Sequence, residues 1–262
     1  MYIFNIQTLI KSLVGDIHSV CYDYQTNQLI YSDHTKIHCV DDQTLKPIWT
    51  FHEHFTSYIS RIRMQPCTRN IVICNTNFNY LKVVDVESRV PLFQITLGRI
   101  GTPFHDFCCN EKGHIFVSNI VDNRIQVYNE YGKYLYHFGS SGLLMKNQLV
   151  SPMGIDVNDD MKQILVADYD TKRVSIWSCN QLVPVTTILT NYTCKKVCVN
   201  PRNQYEIIVS SHCHMLVYDI RNNKLVQQIS PILFHYIQDI FVNKLDKSVL
   251  LIDECLKKLT IN

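Results

Sequence analysis

Apolar and polar positions alternate along the chain in short runs, and residues 151–177 show the pattern clearly. This stretch, SPMGIDVNDDMKQILVADYDTKRVSIW, contains the runs GIDVN, ILVAD and RVSIW, joined by the polar turns NDDMKQ and DYDTK. Alternation with a period of two residues, interrupted by turn-forming residues, is typical of antiparallel strands. The stretch therefore predicts three short strands joined by hairpins.

The same unit recurs along the whole chain. Its first run ends in an acid or an amide in six copies, spaced 42 to 48 residues apart: VCYD to Asp23, IRMQ to Gln65, FCCN to Asn110, IDVN to Asn158, VCVN to Asn200 and IFVN to Asn243. A second and a third run follow each time. A fourth follows only the first five copies, as PIWTF, PLFQI, YLYHF, PVTTI and LVQQI. A fixed period of this length indicates a repeat architecture.

The strand missing from the sixth copy is predicted to come from the other end of the chain. Tyr2 to Leu9 is an apolar run that belongs to no copy and precedes the first one. A ring of sheets with an open edge invites aggregation, and closure removes the edge. We therefore expect an all-β, six-bladed β-propeller of four-stranded antiparallel blades, closed by the N-terminal strand. Residues 1–262 would form a single domain.

Two consecutive copies resemble NHL repeats. Residues 101–139, GTPFHDFCCNEKGHIFVSNIVDNRIQVYNEYGKYLYHFG, and residues 151–177 follow most of the pattern P-x-G-I-x-V-x-x-x-G-x-I-x-V-A-D-x-x-N-x-R-I-x-V-F. The other four copies lose the Pro-Gly start and the Asn-x-Arg turn. KVVDVESRV and LVYDIRNNKLV would fit WD-type blades equally well. The resemblance implies a recognition module, as in the propeller part of TRIM-NHL ubiquitin ligases, and some NHL propellers bind RNA. The chain has no RING or B-box spacing, so no ligase activity of its own is expected.

Composition narrows the class of partner and the compartment. The net charge is only +2, with 46% hydrophobic and 18% charged residues, so bulk charge does not indicate nucleic acid or an acidic membrane. The eleven cysteines are odd in number, contain no CxxC pair and often fall inside strand-like runs. They are interpreted as reduced thiols of a cytoplasmic protein. The N-terminal run lacks the features of a signal peptide or a membrane span.

Several repeated residues are interpreted as structural. Asp168 with Arg173, and Asn119 with Arg124, would bridge the turn between the second and third strands. Four residues before the polar end of the first strand, the six copies carry Ser19, Arg61, Asp106, Gly154, Lys196 and Asp239. Neighbouring copies would then pair Asp106 with Arg61 and Asp239 with Lys196. One position earlier come His18, Ser60, His105, Met153, Lys195 and Gln238.

A metal-dependent hydrolase or lyase of the six-bladed type is kept as an alternative. Such enzymes need hard oxygen ligands or imidazoles that converge at the channel mouth. Met153 and Lys195 interrupt that set here. The motifs HEH (residues 52–54) and HCH (residues 212–214) lack helical HExxH spacing and are interpreted as solvated loop histidines. We expect no enzyme activity, no metal and no cofactor.

The predicted binding surface is the face formed by the loops that precede the first strands and those that join the second strands to the third. These loops are rich in aromatic residues beside a few cations, as recognition surfaces tend to be. The candidate contact residues are Phe55, Tyr58, Phe78, Tyr80, Arg99, Phe104, Tyr169, Tyr192, His212, Phe234 and Tyr236. The chain is thus predicted to be a monomeric, non-catalytic scaffold for a protein partner, with an RNA partner as the alternative.

Overall fold

The computed structural model describes residues 4–10, 17–52, 59–75, 79–97, 104–229, 236–253 and 255–261, of which residues 4–10, 104 and 261 are described by their backbone alone. Every regular element in these ranges is a β-strand, and six four-stranded antiparallel sheets follow one another along the chain. The prediction of an all-β, six-bladed propeller is confirmed. No helix in the described ranges has the length and apolarity to cross a bilayer.

The sheets are here called blades 1 to 6. Blade 1 contains β2 (Ser19–Asp23), β3 (Gln28–Ser32), β4 (Lys36–Asp41) and β5 (Pro47–His52). Blade 2 contains β6 (Arg61–Gln65), β7 (Asn70–Asn75), β8 (Tyr80–Asp85) and β9 (Pro91–Thr96). Blade 3 contains β10 (Phe104–Cys109), β11 (Ile115–Asn119), β12 (Arg124–Tyr128) and β13 (Tyr134–Phe138).

The remaining blades include one inserted pair of strands. A parallel pair, β14 (Ser140–Ser141) and β15 (Gln148–Leu149), lies between blades 3 and 4. Blade 4 contains β16 (Pro152–Asn158), β17 (Gln163–Asp168), β18 (Arg173–Ser178) and β19 (Pro184–Leu189). Blade 5 contains β20 (Lys196–Val199), β21 (Glu206–Ser210), β22 (Met215–Asp219) and β23 (Lys224–Ile229).

Blade 6 joins the two ends of the described chain. It contains β24 (Asp239–Val242), β25 (Val249–Ile252), β26 (Leu256–Ile261) and, as its outermost strand, β1 (Phe4–Ile10). β1 runs antiparallel to β26, with Phe4 opposite Ile261 and Thr8 opposite Lys257. The predicted closure of the ring by the N-terminal strand is therefore confirmed, within one or two residues of the predicted bounds.

The core is divided into six apolar clusters, each between two neighbouring blades. The last of these packs Val20 and Leu29 of blade 1 against Leu250 and Ile252 of blade 6. The first strand of every blade packs against the first strands of both neighbours, so these strands form the innermost ring. Middle strands are buried on both faces, as in β7, whereas outer strands such as β5 are largely exposed.

The polar residue that ends each first strand has a structural role. Asn158 accepts a hydrogen bond from the backbone N–H of Met161 in its own turn, and its amide donates to the carbonyl of Gln204 in blade 5. Gln65 donates in the same way to the carbonyl of Gly113 in blade 3. A short polar side chain can bond to its own turn and still reach the next blade. At Asn158 and Gln65 this polar residue therefore joins adjacent blades.

Of the two predicted turn bridges, one is formed and one is wrong. Arg173 Nε donates to Asp168 Oδ2 at 2.9 Å across the β17–β18 turn. Arg124 instead pairs with Asp122 Oδ2 at 2.7 Å. Asn119 uses its Oδ1 to accept the backbone N–H groups of Val121 and Asp122. The amide already caps the turn, so the arginine pairs with the charged residue inside it.

Candidate functional site

The central channel opens on one face into a cavity of about 520 Å³, here called the mouth. Its wall is formed by residues at or just before the start of the first strands together with three residues from neighbouring loops: His18, Ser60, Arg61, His105, Met153, Tyr169, Lys195, His212, Tyr236 and Gln238. None of these lining residues is an aspartate or a glutamate. The described wall of the mouth therefore offers imidazole, ammonium, guanidinium, hydroxyl and amide groups, but no carboxylate.

Below the mouth, a chain of buried ion pairs crosses the channel. Arg61 places Nε 3.0 Å from Asp106 Oδ1 and Nη1 3.0 Å from Asp239 Oδ1. Lys196 Nζ lies 2.7 Å from Asp106 Oδ2, and Arg63 bonds both carboxylate oxygens of Asp239. Arg61 lines the mouth, while Asp106, Lys196 and Arg63 line a second cavity farther down the channel. The ion-pair chain thus separates the two cavities.

One of the two predicted neighbour pairs is corrected by this arrangement. Asp106 pairs with Arg61 of the adjacent blade, as expected, but Asp239 pairs with Arg61 and Arg63 of blade 2 and not with Lys196 of blade 5. Asp239 reaches past blade 1 because the residue there is the small Ser19, whose Oγ donates to Asp239 Oδ2 at 2.7 Å. Small side chains at this level let long ones meet across the channel.

Gly154 is the small residue at the same level of the channel on blade 4. A Cβ at this position would lie 2.7 Å from the carbonyl oxygen of Lys195 and 2.7 Å from the Cα of Lys196. Only a residue without a side chain allows β16 and β20 to approach this closely. The approach leaves room for Lys196 of blade 5 to reach Asp106 of blade 3.

Burial shifts the pKa values of the two lysines strongly. Burial, with the charge of Arg61 next in importance, lowers the pKa of Lys196 to about 7, although Asp106 and Asp239 act in the opposite direction. Burial and Arg61 likewise lower the pKa of Lys195 to about 8. Despite burial, Lys196 and Arg61 hold the pKa of Asp106 below its usual range. Both lysines are therefore poised to change charge near neutral pH.

Lys195 and His105 contribute polar groups from blades 5 and 3 to the wall of the mouth. Lys195 Nζ donates to the carbonyl of Ile237 at 3.3 Å and lies 3.7 Å from the centre of the Tyr236 ring. The Nδ1 atom of His105 is buried, and no described residue forms a hydrogen bond with it. Burial, followed by Lys196 and Arg61, lowers the pKa of His105 to about 3, so this imidazole is neutral at pH 7.

The second cavity, about 430 Å³, lies on the other side of the ion pairs. Asp156 forms part of its wall and accepts a hydrogen bond from the backbone N–H of Val199 at 3.0 Å. Burial raises the pKa of Asp156 to about 6, against the opposing effect of its backbone hydrogen bonds. A buried carboxyl with this pKa is a source of pH-dependent stability.

The structure brings three of the predicted contact residues together at the mouth. The ring of His212 lies between the rings of Tyr169 and Tyr236, with centroids 6.0 and 5.5 Å away. Tyr192, two residues before Cys194, stacks on His214 with the two ring centroids 4.2 Å apart. Its hydroxyl accepts a hydrogen bond from Gln228. The histidines of the HCH motif are thus partly buried in aromatic contacts and are not the solvated loop residues that we expected.

The other predicted contact residues divide into three groups. Tyr80 begins β8 and is buried, so its assignment to an exposed recognition surface is wrong; a residue at the start of a middle strand is covered by the neighbouring blade. Phe104 begins β10, where only the backbone is described. The remaining candidates lie outside the described residues: Phe55, Tyr58, Phe78, Arg99 and Phe234.

The sequence places residues 139–153 on the predicted binding face, but the apolar projection that this segment forms between blades 3 and 4 was not among the candidate contact residues. Leu143, Leu144 and Met145 are 68%, 97% and 64% exposed. They lie between β14 and β15 in the loop that leads to β16, on the face of the mouth. The signal was present in the sequence, because LLM is an apolar triplet inside the polar, glycine-containing stretch SSGLLMKNQ. The search for aromatic residues passed over it.

This projection, here called the LLM loop, is held by a dense set of hydrogen bonds. Gln148 Oε1 accepts the backbone N–H groups of Leu144 and Met145 at 2.8 and 2.9 Å. The carbonyl of Gln148 accepts a hydrogen bond from Arg173, which is itself fixed by Asp168. The loop therefore presents three exposed apolar side chains from a rigid base.

The side chains of the chain that could bind a metal ion are those of His, Cys, Asp and Glu. Within the described ranges, no group of three or more His, Cys, Asp or Glu side chains is arranged to hold a metal ion. His18 lies on blade 1 beside His34, at 3.1 Å between ring nitrogens, whereas His105 lies on blade 3. All eleven cysteines are free thiols.

Comparison with known proteins supports the architecture. No protein-family model matches the chain, and no curated protein matches it. Among solved structures, the chain is similar to the WD40 beta propeller domain of Doa1, with a TM-score of 0.69 and 14% sequence identity over 94% of this chain and 78% of that one. At this identity the similarity shows a shared propeller fold.

Proposed function

We propose that this protein is a non-catalytic adaptor that binds a protein partner on the face containing the mouth, with the LLM loop as an anchor. The observation that carries the proposal is the exposure of Leu143, Leu144 and Met145 on a loop whose backbone is already fixed. Exposed apolar side chains on an ordered support are characteristic of contact surfaces, because they gain free energy on burial and lose little conformational entropy.

The aromatic rim of the mouth extends this surface. Tyr236 is 46% exposed, and it is followed around the rim by His212 and Tyr169. Tyrosine is enriched among residues that dominate interface energies, since it combines a large apolar ring with a hydroxyl group. A partner that covers the LLM loop and reaches toward the mouth would contact both.

The finer identity of the module is also a proposal. The resemblance of residues 101–177 to NHL repeats supports an NHL-type propeller, and the same resemblance supports a role in recruiting substrates for ubiquitination by a partner that supplies the ligase. The free cysteines support a reducing, cytoplasmic location. We also propose that the protein acts as a monomer, because every described blade has both of its neighbours within the ring.

The test is affinity capture of partners from an extract of the source cells by the tagged full chain. Leu144→Asp is compared with Val185→Asp, which places the same charge at a 57%-exposed position on β19. We expect specific proteins that the wild type and Val185→Asp retain but the loop variant loses. Titration of the purified partner should then show affinity reduced about tenfold or more.

Two results would contradict the proposal. Equal capture by the loop variant and the control would remove the LLM loop from the interface. Loss of all specific capture after nuclease treatment would favour an RNA partner, the alternative considered from the sequence.

A further inference from the structure

The mouth combines buried positive charge with the absence of any acid among its described lining residues. Arg61 and Lys195 line it directly, and Arg63 and Lys196 lie in the ion-pair chain below. Only two carboxylates, Asp106 and Asp239, belong to that chain, and both are already paired from two sides. Two arginine and two lysine side chains thus meet two carboxylates. Buried charge without a counter-charge is costly, so an anion in the mouth would be stabilising.

Lys195 is the cation of this set that no carboxylate pairs with among the described residues. Among the described residues its Nζ contacts one carbonyl oxygen and the face of the Tyr236 ring, so an ammonium at this place in the cavity wall has donor capacity left. His105 on blade 3 and Ser60 on blade 2 add hydrogen-bonding groups to the same wall. His105 lines this wall, and among the described residues nothing bonds to its buried Nδ1 atom.

We propose that the mouth is a binding site for an oxyanion, a carboxylate or a phosphate group, held by Lys195 and Arg61 and flanked by the Tyr169–His212–Tyr236 rim. The group could be carried by a free organic anion or by an acidic side chain of a docked protein. Both would present the same oxygen atoms to the cations, and a cavity of about 520 Å³ accommodates either. The inference does not depend on the LLM loop, because it is tested on the protein alone.

Binding should be coupled to protonation of Lys195. Four groups face its ammonium. They are Arg61 of β6, His105 of β10, Asp239 of β24 and Tyr236 in the loop before β24. Burial and Arg61 lower the pKa of Lys195 to about 8, and an adjacent anion would raise it again. Anion affinity should therefore fall as the pH rises through 8, and binding near pH 8 should take up protons.

The experiment is isothermal titration calorimetry of the full chain at constant ionic strength, with three probes. The probes are inorganic phosphate, glutarate and an acetylated, amidated peptide that contains one glutamate. We expect saturable binding of at least one probe at pH 7 and affinity about tenfold or more weaker for Lys195→Gln. Lys224→Gln, an exposed lysine on β23 of the same blade, should bind like the wild type.

The conservative variant Lys195→Arg separates a binding role from a structural one. Arginine remains charged across this range, so binding should persist while its dependence on pH near 8 disappears. Binding of the peptide would identify a partner side chain as the source of the anion, and binding of phosphate or glutarate alone would identify a free ligand. Absence of binding by all three probes, or equal affinity of Lys195→Gln and Lys224→Gln, would overturn the inference. A failure here leaves the capture experiment on the LLM loop unaffected.

Discussion

Arg61 binds Asp106 and Asp239 at once, with two nitrogen–oxygen distances of 3.0 Å, and so links blade 3 to blade 6 across the central channel. Asp239 is fully buried and Arg61 is nearly so. Loss of the guanidinium would leave two carboxylates with fewer partners in a place that excludes bulk water. The stability of the ring therefore depends on a side chain that belongs to neither of the blades it joins.

The Arg61→Met variant should be much less stable than the wild type. Removing one partner of a buried ion pair typically costs about 3–5 kcal/mol in the free energy of unfolding. Arg124→Met is the matched control, because Arg124 pairs with Asp122 on the surface, where the cost should be about 0–1 kcal/mol. Urea unfolding of both variants measures the difference. Equal losses would show that the channel pairs contribute no more than an exposed pair.

Gly154→Ala should also destabilise the protein. The added Cβ would meet the carbonyl oxygen of Lys195 and the Cα of Lys196, both backbone atoms that cannot rotate away. Forcing β16 and β20 apart is expected to cost about 1–3 kcal/mol. Thermal unfolding followed by circular dichroism checks this. An unchanged midpoint would mean that the two innermost strands separate without strain.

Asp156→Asn should stabilise the protein in a pH-dependent manner. Burial raises the pKa of Asp156 from 3.8 to about 6 in the folded state, so its ionisation opposes folding. This penalty is absent below about pH 4, where the carboxyl is protonated in both states, and is complete above about pH 6. The asparagine keeps an oxygen acceptor for the N–H of Val199.

Unfolding at several pH values tests the prediction for Asp156. The gain in stability should be about 1–3 kcal/mol at pH 8 and should vanish near pH 4. Asp160→Asn, at an exposed position in the following turn, serves as the control for simple loss of a negative charge. A gain for Asp156→Asn that is equally large at both pH values would exclude ionisation as its cause.

Gln148→Ala should loosen the LLM loop without unfolding the blades. The variant removes the acceptor of the Leu144 and Met145 N–H groups, while the carbonyl that accepts from Arg173 remains. Amide hydrogen exchange at residues 143–146 should become faster, and affinity for a partner should fall several-fold as preorganisation is lost. Lys146→Ala, in the same loop, is the control. Unchanged exchange in Gln148→Ala would show that other contacts hold the loop.

Deletion of residues 1–10 should open the ring. β26 would lose β1, with which it pairs from Phe4 opposite Ile261 to Thr8 opposite Lys257. It would then present an unpaired edge. We expect oligomers or aggregates in size-exclusion chromatography with light scattering, and a lower unfolding temperature. Replacement of residues 143–145 by Gly-Ser-Gly, a change to the chain away from blade 6, is the control. A deletion variant that stays monomeric and equally stable would contradict the structural role of β1.

The repeat, the number of blades and the origin of the closing strand could be predicted from the sequence, because each follows from period-2 patterning and chain order. The pairing of Asp239 could not, since it depends on how far arginine reaches past Ser19. The backbone conformation of two turns could not be predicted from the sequence either. Leu45 and Leu182 adopt the left-handed conformation, which favours glycine or asparagine. The turns hold both leucines in this conformation through backbone hydrogen bonds. The N–H of Leu45 donates to the carbonyl of Asp41, and the N–H of Leu182 donates to the carbonyl of Ser178.

The candidate site was predicted less completely than the fold. The six positions before the first strands do surround the mouth, since a fixed register places equivalent residues at the same level of the channel. Tyr80 was misplaced because an aromatic residue near a loop can equally begin a buried strand. The LLM loop was missed because exposure of leucine runs against the general tendency of apolar residues to be buried.

The position of β1 in blade 6 has a consequence for how the chain folds. During synthesis β1 emerges first, but its partner β26 emerges last, so the closing ladder cannot form until residue 261 has left the ribosome. Contacts between such distant parts of a chain carry a large loop-closure entropy and slow the folding of β-rich proteins. Five blades can pair locally as they appear, while the first strand waits unpaired. Ring closure is thus expected to be a late step of folding, and the chain most needs protection from edge-to-edge association before it.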